Sequence, residues 1–521
     1  MSLLAIDIGS SRCKGVLFSA SGEILAQCSR LYAPEFSRPS FAEMNPDIFW
    51  EAVQAVSRSA ANLQHQDLQQ HDPIEAVCLS SHGETLIPVN PASTALRPAI
   101  LNIDTRAAEE SDWCERHLSR MRLFQLTGHS SHPMYPVPKL LWLRKHEPEL
   151  FRGAPIFLSV VSYILVKLGL PPYVDYSLAS RFMAFDICNK RWSEEILSLL
   201  NLSTDCFPIP IGAGTIAGEL SAEAARTLGL RQGTPMVVGG HDQACGSLGT
   251  GVIASGRVSD SMGTYECIAV TSDKPHLNEE ALTYNLNSYC HVLPGKFITL
   301  AYFPSGIMLQ WFYDLLYPSD ADDSGGSEEA RYVDLESLAP EQPSGLLVLP
   351  YLIGTCNPDF NPHARGAIFG LTRSSHRGYI YKGILEGVAC ELSAMTGMFD
   401  RALGESADIY ATGGGSRSPL GMRLRAAMTG RTFHLMSCPE SVCLGGAILA
   451  AVAVGLYPSI PQAVKHMVRE EQTVAPDEEM AEVYRPVKAQ YDHLRSMLSA
   501  LQAPDSTSLS RIGADAWFSQ R

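Results

Sequence analysis

Residues 3–15 read LLAIDIGSSRCKG, an apolar strand pattern that reaches Asp7 and runs into a turn rich in glycine and hydroxyl groups. Two later segments repeat this arrangement of an apolar run followed by glycine, PMVVGGHDQ at 235–243 and IYATGGGSRS at 409–418. Glycine after a strand lets backbone amides approach a ligand closely. Three such turns, spread over about 400 residues, predict a nucleotide site shared between two halves of the chain.

The composition is that of a large chain of ordinary polarity. Its 521 residues are 45% hydrophobic and 18% charged, which is enough apolar material for at least two domain cores. The formal net charge of −15 disfavours binding to nucleic acids or to anionic lipid. We therefore expect any phosphate site to depend on local groups, such as Arg12 and Lys14, and on a metal ion.

The cysteines and the apolar runs bear on location. Thirteen cysteines are scattered without a C-x-x-C pair, which predicts buried free thiols in a reducing compartment. The first strand reaches Asp7 before the apolar core of a signal peptide could form, and the longest apolar stretch, 445–457, is too short to span a bilayer. These features predict a cytoplasmic protein.

The order of apolar runs and turns predicts an α/β architecture. Residues 46–70 have helical spacing, a buried-strand pattern follows at 74–80, and 258–270 repeats the strand–turn–strand opening of the chain. We also predict helices over 440–457 and 484–501, a surface loop over 318–331 and a frayed end over 503–521. No P-loop is present and no G-x-G-x-x-G follows the first strand, which disfavours a dinucleotide-dependent oxidoreductase.

Two aspartates are candidates for chemistry. Asp7 ends a strand beside Ser10, Ser11 and Lys14, so it could hold Mg²⁺ against a triphosphate, although Asp-x-Gly is also common in ordinary turns. Asp242 lies between a strand and a helix start. It could accept a proton from a substrate hydroxyl, or it could simply be the helix N-cap.

Further candidates lie at other strand ends. The glycines at 413–415 precede a helix whose N-terminus could face a nucleotide, or they could form a structural turn. His82, Glu84, Asp104 and Arg106 follow apolar runs and could hydrogen-bond a polyhydroxylated ligand, although a lone histidine is more often structural.

Together these segments resemble the FGGY carbohydrate kinase family, which includes glycerol kinase and xylulokinase. The most specific match is MYPVPKLLWLRKH at 134–146, which fits the first signature of the family at every constrained position. Residues 239–251 resemble the catalytic-aspartate segment, 261–264 the second phosphate motif and 411–419 the adenosine motif. The resemblance runs from Leu3 to about residue 501.

The resemblance implies an α/β fold of two actin-like (RNase H-like) ATPase domains flanking an interdomain cleft. It implies an N-terminal sugar-binding domain over 1–248, a C-terminal nucleotide-binding domain over 249–490, and a helix end with a flexible tail over 491–521. The implied cofactors are ATP and Mg²⁺, with Asp242 as general base and Asp7 at the metal. The implied ATP-binding residues are Ser11, Lys14, Gly263, Thr264, Gly306, Gly414 and Ser418, and the sugar-pocket candidates beside Asp242 are His82, Glu84, Asp104 and Tyr135.

The chain departs from the family pattern in two places. In the second signature Tyr379 stands where a polar residue such as histidine is usual, and Gly383 where alanine or serine is usual. In the adenosine segment Gly421 replaces a bulky residue and Arg423 replaces glutamine. The sugar segment is a hybrid. Residues 80–85, SSHGET, combine the His-Gly of xylulokinases with the Glu-Thr of glycerol kinases but lack the arginine of the latter. No single substrate is assigned on this basis.

The prediction is therefore an enzyme that phosphorylates a hydroxyl of a small sugar, ketose or polyol with ATP. The alternatives are a non-catalytic sugar sensor on the same fold, which would need neither Asp7 nor Asp242, and an actin-like ATPase without a sugar substrate. Relatives often form dimers or tetramers, so a homodimer is the expected assembly.

Overall fold

A computed structural model describes residues 1–67, 73–152, 155–317, 328–404 and 408–501 of the chain, and two large mixed sheets organise them. In chain order the strands are β1 (Ser2–Ile8), β2 (Arg12–Ser19), β3 (Ile24–Leu31), β4 (Glu35–Arg38), β5 (Phe41–Met44), β6 (Ile74–Ser81), β7 (Ile87–Val89), β8 (Ala99–Ile100), β9 (Ile156–Leu158), β10 (Tyr173–Asp175), β11 (Phe185–Asp186), β12 (Arg191–Trp192), β13 (Ile209–Ile211), β14 (Ile216–Glu219), β15 (Pro235–His241), β16 (Val258–Met262), β17 (Tyr265–Ser272), β18 (Asn287–Cys290), β19 (Phe297–Pro304), β20 (Leu347–Leu349), β21 (Ala367–Phe369), β22 (Ile409–Gly413), β23 (Phe433–Met436) and β24 (Glu470–Val474).

Helices connect these strands. In chain order they are α1 (Asp47–Asp67), α2 (Ala108–Leu118), α3 (Arg120–Thr127), α4 (Pro136–His146), α5 (Pro148–Arg152), α6 (Val160–Lys167), α7 (Tyr176–Ser180), α8 (Glu194–Leu199), α9 (Ala222–Leu228), α10 (Asp242–Gly249), α11 (Glu279–Thr283), α12 (Gly306–Leu316), α13 (Glu328–Ser337), α14 (Arg377–Leu403), α15 (Pro419–Thr429), α16 (Ser441–Ala453), α17 (Ile460–Met467) and α18 (Glu478–Leu501). Short 3-10 turns lie at Thr204–Cys206 and Gly414–Arg417.

The first large sheet has the strand order β14-β15-β6-β1-β2-β3. Strand β1 pairs antiparallel with β2 and parallel with β6, and β6 pairs parallel with β15. In this register Asp7 lies opposite both Lys14 and Ser80, and Ser81 lies opposite His241. The ends of β1, β6 and β15 therefore meet at one edge of the sheet, where ligand sites of α/β folds usually lie.

The second large sheet repeats the pattern, with the order β18-β19-β17-β16-β22-β23-β24. Strand β16 pairs antiparallel with β17 and parallel with β22, just as β1 pairs with β2 and β6. Met262 lies opposite both Glu266 and Gly413. The turn at 263–264 and the glycine-rich turn at 414–417 are therefore neighbours at one edge of this sheet.

One of the three hydrophobic clusters includes residues from both large sheets and from the helix pair α10 and α16. The two helices touch through their backbones. A Cβ on Gly249 would lie 1.8 Å from the carbonyl oxygen of Ser441, and a Cβ on Gly445 would lie 2.0 Å from that of Cys245. Only glycine permits this approach. On its other side α16 reaches the first sheet, where a Cβ on Gly446 would lie 3.4 Å from Ala5.

The structure confirms the α/β class and most of the predicted elements, with three differences. Helix α18 begins at Glu478, six residues before the predicted start, and residues 328–331 of the predicted loop form the first turn of α13. Both additions are rich in glutamate and alanine, which favour helices. Helix α16 ends at Ala453, four residues earlier than predicted. Residues 68–70, 318–327 and 503–521 of the predictions lie outside the described residues.

None of the helices in the described ranges is both long and apolar enough to cross a membrane.

Candidate functional site

Asp7 lies at the end of β1 with its carboxylate beside β6. Ser80 Oγ donates to Asp7 Oδ1 over 2.9 Å. Burial raises the pKa of Asp7 to about 6, against the lowering effects of the Ser80 hydrogen bond and of Lys14. The carboxylate thus carries a charge that its protein partners only partly stabilise, and a cation would stabilise it further.

Asp242 is the first residue of α10, directly after β15. The N-cap position belongs to His241, so the alternative role of Asp242 as N-cap is wrong. Its Oδ1 accepts the backbone N–H of Gln243 at 2.6 Å and lies 3.3 Å from Nε2 of His241. Burial, and then the charges of Asp7 and Glu84, raise the pKa of Asp242 to about 8. The carboxylates of Asp7 and Glu84 are therefore close enough to act on Asp242.

Two glycines shape the end of β15 that carries Asp242. A Cβ on Gly239 would lie 2.4 Å from the carbonyl oxygen of Leu79, and one on Gly240 would lie 2.4 Å from the side chain of Val292. The next backbone N–H, that of His241, donates to Ser177 Oγ at 2.9 Å. The glycine pair is thus required because the backbone passes closely between neighbouring elements.

Glu84 forms a buried ion pair with Arg181, the residue that follows α7. Glu84 has a positive φ of 61°, which turns it out of the line of β6. Lys139, at the centre of the 134–146 signature, donates to the carbonyl oxygens of Glu84 at 2.9 Å and Leu101 at 2.7 Å. Burial lowers the pKa of Lys139 to about 7. The signature lysine therefore holds two neighbouring strand ends together.

Tyr135 is buried and lines a cavity of about 250 Å³. Its hydroxyl donates to Asn287 Oδ1 at 2.9 Å, and Asn287 also contacts Nδ1 of His129 at 3.0 Å. The cavity is lined by Glu115, Arg120, Ser130, Ser131, His132, Met134, Tyr135, Asn285, Asn287, Tyr302 and Phe360. It is a polar space with room for a small polyhydroxylated molecule.

Like Glu84 and Tyr135, the predicted sugar-contacting residues His82 and Asp104 already have protein partners. His82 uses both ring nitrogens, on the carbonyl oxygen of Ile8 at 2.8 Å and on Thr85 Oγ1 at 2.7 Å. Asp104 is fully buried, accepts the backbone N–H of Ala42 at 2.7 Å and binds the guanidinium of Arg106. These partners give both residues a structural role in shaping the cleft, and their contact with a sugar stays a prediction.

The predicted phosphate residues fall into two groups. Gly263 and Thr264 are exposed in the β16–β17 turn, and the N–H of Gly306 donates to the carbonyl oxygen of Gly263 at 3.1 Å. Ser11 is exposed in the β1–β2 turn, whereas Lys14 Nζ is bound to Glu440 at 2.7 Å. Ser11 and Lys14 thus belong to the first large sheet, and Gly263 and Thr264 belong to the second.

The predicted adenosine residues lie at the start of α15. Gly414 is exposed, and Ser418 is the N-cap, accepting the N–H of Gly421 at 3.0 Å while donating to Glu336 at 2.8 Å. The unusual Gly421 leaves room for Arg425, whose Nη1 would lie 3.2 Å from a Cβ there. Arg423 is exposed.

The residues present fit a magnesium ion that has few protein ligands. Among the described residues no group of three histidine, cysteine, aspartate or glutamate side chains is arranged to hold a metal. Mg²⁺ prefers oxygen ligands and usually takes one or two carboxylates, with the remainder from phosphates and water. The buried carboxylate of Asp7, with its raised pKa, suits that arrangement.

Sequence reasoning missed Arg181, Asn287 and Glu440. None lies in a motif, and each reaches the site from an element distant in the chain. One signal was available for Arg181, since glycine at 83 stands where an arginine was expected.

Comparisons with known proteins identify the family. The FGGY family of carbohydrate kinases matches over its N-terminal domain at residues 2–249 and over its C-terminal domain at residues 258–454. A gluconokinase of Bacillus licheniformis is 30% identical over 510 residues, covering 95% of this chain and 96% of the relative. A xylulose kinase of Bacillus subtilis is 25% identical over 511 residues, covering 96% and 99%.

Solved structures agree in fold. Ligand-bound xylulose kinase from Lactobacillus acidophilus superposes with a TM-score of 0.85 at 23% identity, over 96% of this chain and 98% of that one. Glycerol kinase from Plasmodium falciparum with ADP superposes with a TM-score of 0.83 at 17% identity, over 95% and 98%. The two sheets are thus those of two actin-like domains, and the chain belongs to the FGGY family of carbohydrate kinases.

Proposed function

We propose that this chain transfers the γ-phosphoryl group of ATP to a hydroxyl of a small sugar, ketose, polyol or sugar acid, with Asp242 as the general base. As a member of its family it is a carbohydrate kinase, a phosphotransferase with ATP as the phosphate donor. The observation that carries the assignment of the base is the raised pKa of Asp242 at the start of α10, facing the charges of Asp7 and Glu84.

The proposed reaction is an in-line displacement. Asp242 accepts the proton of the substrate hydroxyl while the hydroxyl oxygen forms its bond to the γ-phosphorus, the bond to the β–γ bridging oxygen breaks, and ADP leaves. A base with a pKa near the working pH is suited to this task. Most of the acceleration would come from positioning and charge neutralisation, since phosphoryl transfer needs little covalent help.

The remaining predicted residues receive supporting roles. Asp7 would hold Mg²⁺, which supplies positive charge to the phosphates when it is bound. The hairpin residues Ser11 and Lys14 would contact the phosphates from the first sheet, and the facing glycines Gly263 and Gly306 would do so from the second. We propose the corresponding division of the chain, with the sugar bound by residues 1–248 and the nucleotide by 249–490.

The names of the relatives suggest candidate substrates. Gluconokinases and xylulose kinases are among the most similar curated proteins, so gluconate and xylulose are the first compounds to test. Nothing in the comparisons favours a non-catalytic sensor. We also propose a cytoplasmic location, which thirteen free cysteines support, and a homodimer.

The test is ADP release with Mg-ATP against a panel of polyols, ketoses, aldoses and sugar acids, run beside Asp242→Asn. We expect one compound to stimulate release strongly in the native enzyme and at least about 100-fold less in the variant. Near-native turnover in a folded Asp242→Asn protein would contradict the base assignment. ATP hydrolysis that no compound stimulates would point to an actin-like ATPase instead.

A further inference from the structure

We propose that Arg181 binds the substrate directly, donating a hydrogen bond from Nη1 to a substrate oxygen, and that it takes the place of the arginine missing from segment 82–85. This inference rests on the proposed kinase function and adds a specificity-determining residue to its sugar site.

The first support is the space that Gly83 leaves. A Cβ on Gly83 would lie 2.9 Å from Cγ and 3.1 Å from Cβ of Arg181. The side chain of Arg181 therefore occupies the volume that a side chain at position 83 would fill. Segment 82–85 has no arginine of its own. The guanidinium of Arg181, which follows α7 and is 97 positions from Glu84 in the chain, lies beside it.

The second support is an unused donor. Arg181 is 4% exposed, its Nε donates to Glu84 and its guanidinium interacts with the Tyr135 hydroxyl, yet its buried Nη1 makes no hydrogen bond to the described residues. A buried donor on a charged group is costly to leave unpaired. An acceptor that arrives with the substrate would remove this cost.

The third support is the position of Arg181 between the cavity and the base. Its guanidinium lies 5.3 Å from the ring centre of Tyr135, which lines the 250 Å³ cavity, and 5.1 Å from that of Tyr289. The Tyr289 hydroxyl is 2.9 Å from Nδ1 of His241, the neighbour of Asp242. The positive charge of Arg181 also acts to lower the pKa of Asp242. A substrate that extends from the cavity to Asp242 would therefore pass this guanidinium.

The required ligand chemistry is an oxygen with a free lone pair. The carbonyl of a ketose, a hydroxyl of a polyol and the carboxylate of a sugar acid all provide it, and D-xylulose, glycerol and D-gluconate are the corresponding probes. A guanidinium distinguishes them by charge, because only the carboxylate gains a full ionic interaction.

The experiment compares Arg181→Lys and Arg181→Gln with the native protein. Arg122→Gln is the matched control, since Arg122 is an exposed arginine paired with Glu195. Binding of the three probes and of their singly deoxygenated analogues is measured by calorimetry without nucleotide, and phosphorylation is then measured with Mg-ATP. We expect the bound probe to lose at least tenfold in affinity in Arg181→Lys, with the KM for the sugar rising more than kcat falls.

The deoxygenated analogues separate contact from mere structural support. In the native protein one analogue should bind at least tenfold more weakly than its parent, and in Arg181→Lys the two should bind equally. If every analogue shows the same penalty in both proteins, the proposal is wrong. For gluconate the loss should be larger in Arg181→Gln than in Arg181→Lys, whereas for a neutral probe the two losses should be similar.

Folding and function are controlled separately. Gly83→Ala displaces the Arg181 side chain without removing its charge, so it should weaken the same probe even if Arg181→Lys does not fold. Probe binding that depends on Arg181 without any phosphorylation would keep this proposal and reject the kinase function. Phosphorylation with an unchanged KM for the sugar in Arg181→Lys and Arg181→Gln would reject this proposal and keep the kinase function. A native protein that neither binds nor phosphorylates any probe would overturn the proposal and the kinase function together.

Discussion

Lys14 on the first sheet and Glu440 at the start of α16 form an ion pair, with Nζ 2.7 Å from the carboxylate. Gln27 Nε2 donates to the same carboxylate at 3.1 Å. The pair joins the β1–β3 region to the second half of the chain across 426 positions of sequence. Both side chains retain some contact with solvent, so phosphate oxygens arriving at the hairpin would compete with Glu440 for Lys14.

This competition gives the first prediction. Lys14→Met should raise the KM for ATP roughly tenfold or more, because a hydrogen bond to a charged group contributes about 1.5–3 kcal/mol. Glu440→Gln should leave the KM for ATP unchanged or lower it, since it frees Lys14. Steady-state kinetics at varied ATP and saturating sugar measure both. An unchanged KM in Lys14→Met would remove Lys14 from the phosphate site.

The raised pKa of Asp242 predicts a pH dependence of activity. A base must be deprotonated to accept a proton, and the pKa of Asp242 in the free protein is raised to about 8 by burial and by the charges of Asp7 and Glu84. We therefore expect kcat/KM to rise with pH between about 6 and 8. A pH profile of kcat/KM at constant ionic strength tests this, and a flat profile over that interval would contradict it.

The same carboxyl predicts a pH dependence of stability. Its pKa is about 8 in the native state against the ordinary 3.8, so the native state holds a proton that the unfolded chain releases between these pH values. The stability contributed by this group is therefore lost as the pH rises from about 4 to 8. Asp242→Asn does not titrate, so its free energy of unfolding should exceed that of the native protein increasingly over this range.

We expect the excess to pass about 1 kcal/mol by pH 8, since one pKa unit corresponds to about 1.4 kcal/mol. Denaturant unfolding of both proteins at pH 5 and pH 8 measures it. Asp7 and Asp175, whose pKa values are also raised to about 6, titrate in both proteins and provide the common background. Equal differences at the two pH values would contradict the raised pKa of Asp242.

A buried ion pair supports the nucleotide side of the cleft. Arg425 Nη2 lies 2.8 Å from Glu266 Oε2, and Ser305, which precedes Gly306, donates to the same carboxylate at 2.7 Å. Glu266→Gln should lower the free energy of unfolding by about 3–5 kcal/mol, because the buried Arg425 loses the carboxylate that it is bonded to and, among the described carboxylates, only Asp260 remains near it. The KM for ATP should rise as well, because Ser305 then donates to a neutral amide oxygen in place of a carboxylate.

Two further variants test the origin of that loss. The double variant Glu266→Gln with Arg425→Met should be less destabilised than Glu266→Gln alone, since the unpaired charge is gone. Glu195→Gln, which removes the partner of the exposed Arg122, should cost no more than about 1 kcal/mol. Urea unfolding measures all three, and a loss in Glu266→Gln as small as that in Glu195→Gln would refute the role of the buried pair.

Neighbouring glycines in α16 offer a matched test of the helix contact. In Gly445→Ala the added methyl would lie 2.0 Å from the carbonyl oxygen of Cys245, so α10 and α16 must separate. We expect a loss of about 1–3 kcal/mol in stability and a reduced kcat, because Asp242 begins α10. In Gly446→Ala the methyl lies 3.4 Å from Ala5, an ordinary contact, and alanine favours the helix, so stability should change by less than about 1 kcal/mol.

The sequence predicted the elements that carry local signals. Glycine after an apolar run marked the ends of β1, β15 and β22, and the register of the sheets then brings those ends together. Arg181 follows no such turn and was signalled only indirectly, by Gly83, because its approach to Glu84 depends on how α7 packs against β15. The partners of His82 and Asp104 were likewise unreadable, since hydrogen bonds to Ile8 and Ala42 depend on tertiary packing.

The glycine contact between α10 and α16 has a mechanical consequence. Two backbones that touch without intervening side chains form a narrow axis, and any rotation of the halves that preserves the contact turns about it. Points near an axis move little, whereas distant points sweep wide arcs. Because Asp242 begins α10, the proposed base stays almost stationary during such a rotation, while the phosphate turns of the opposite sheet travel toward it or away.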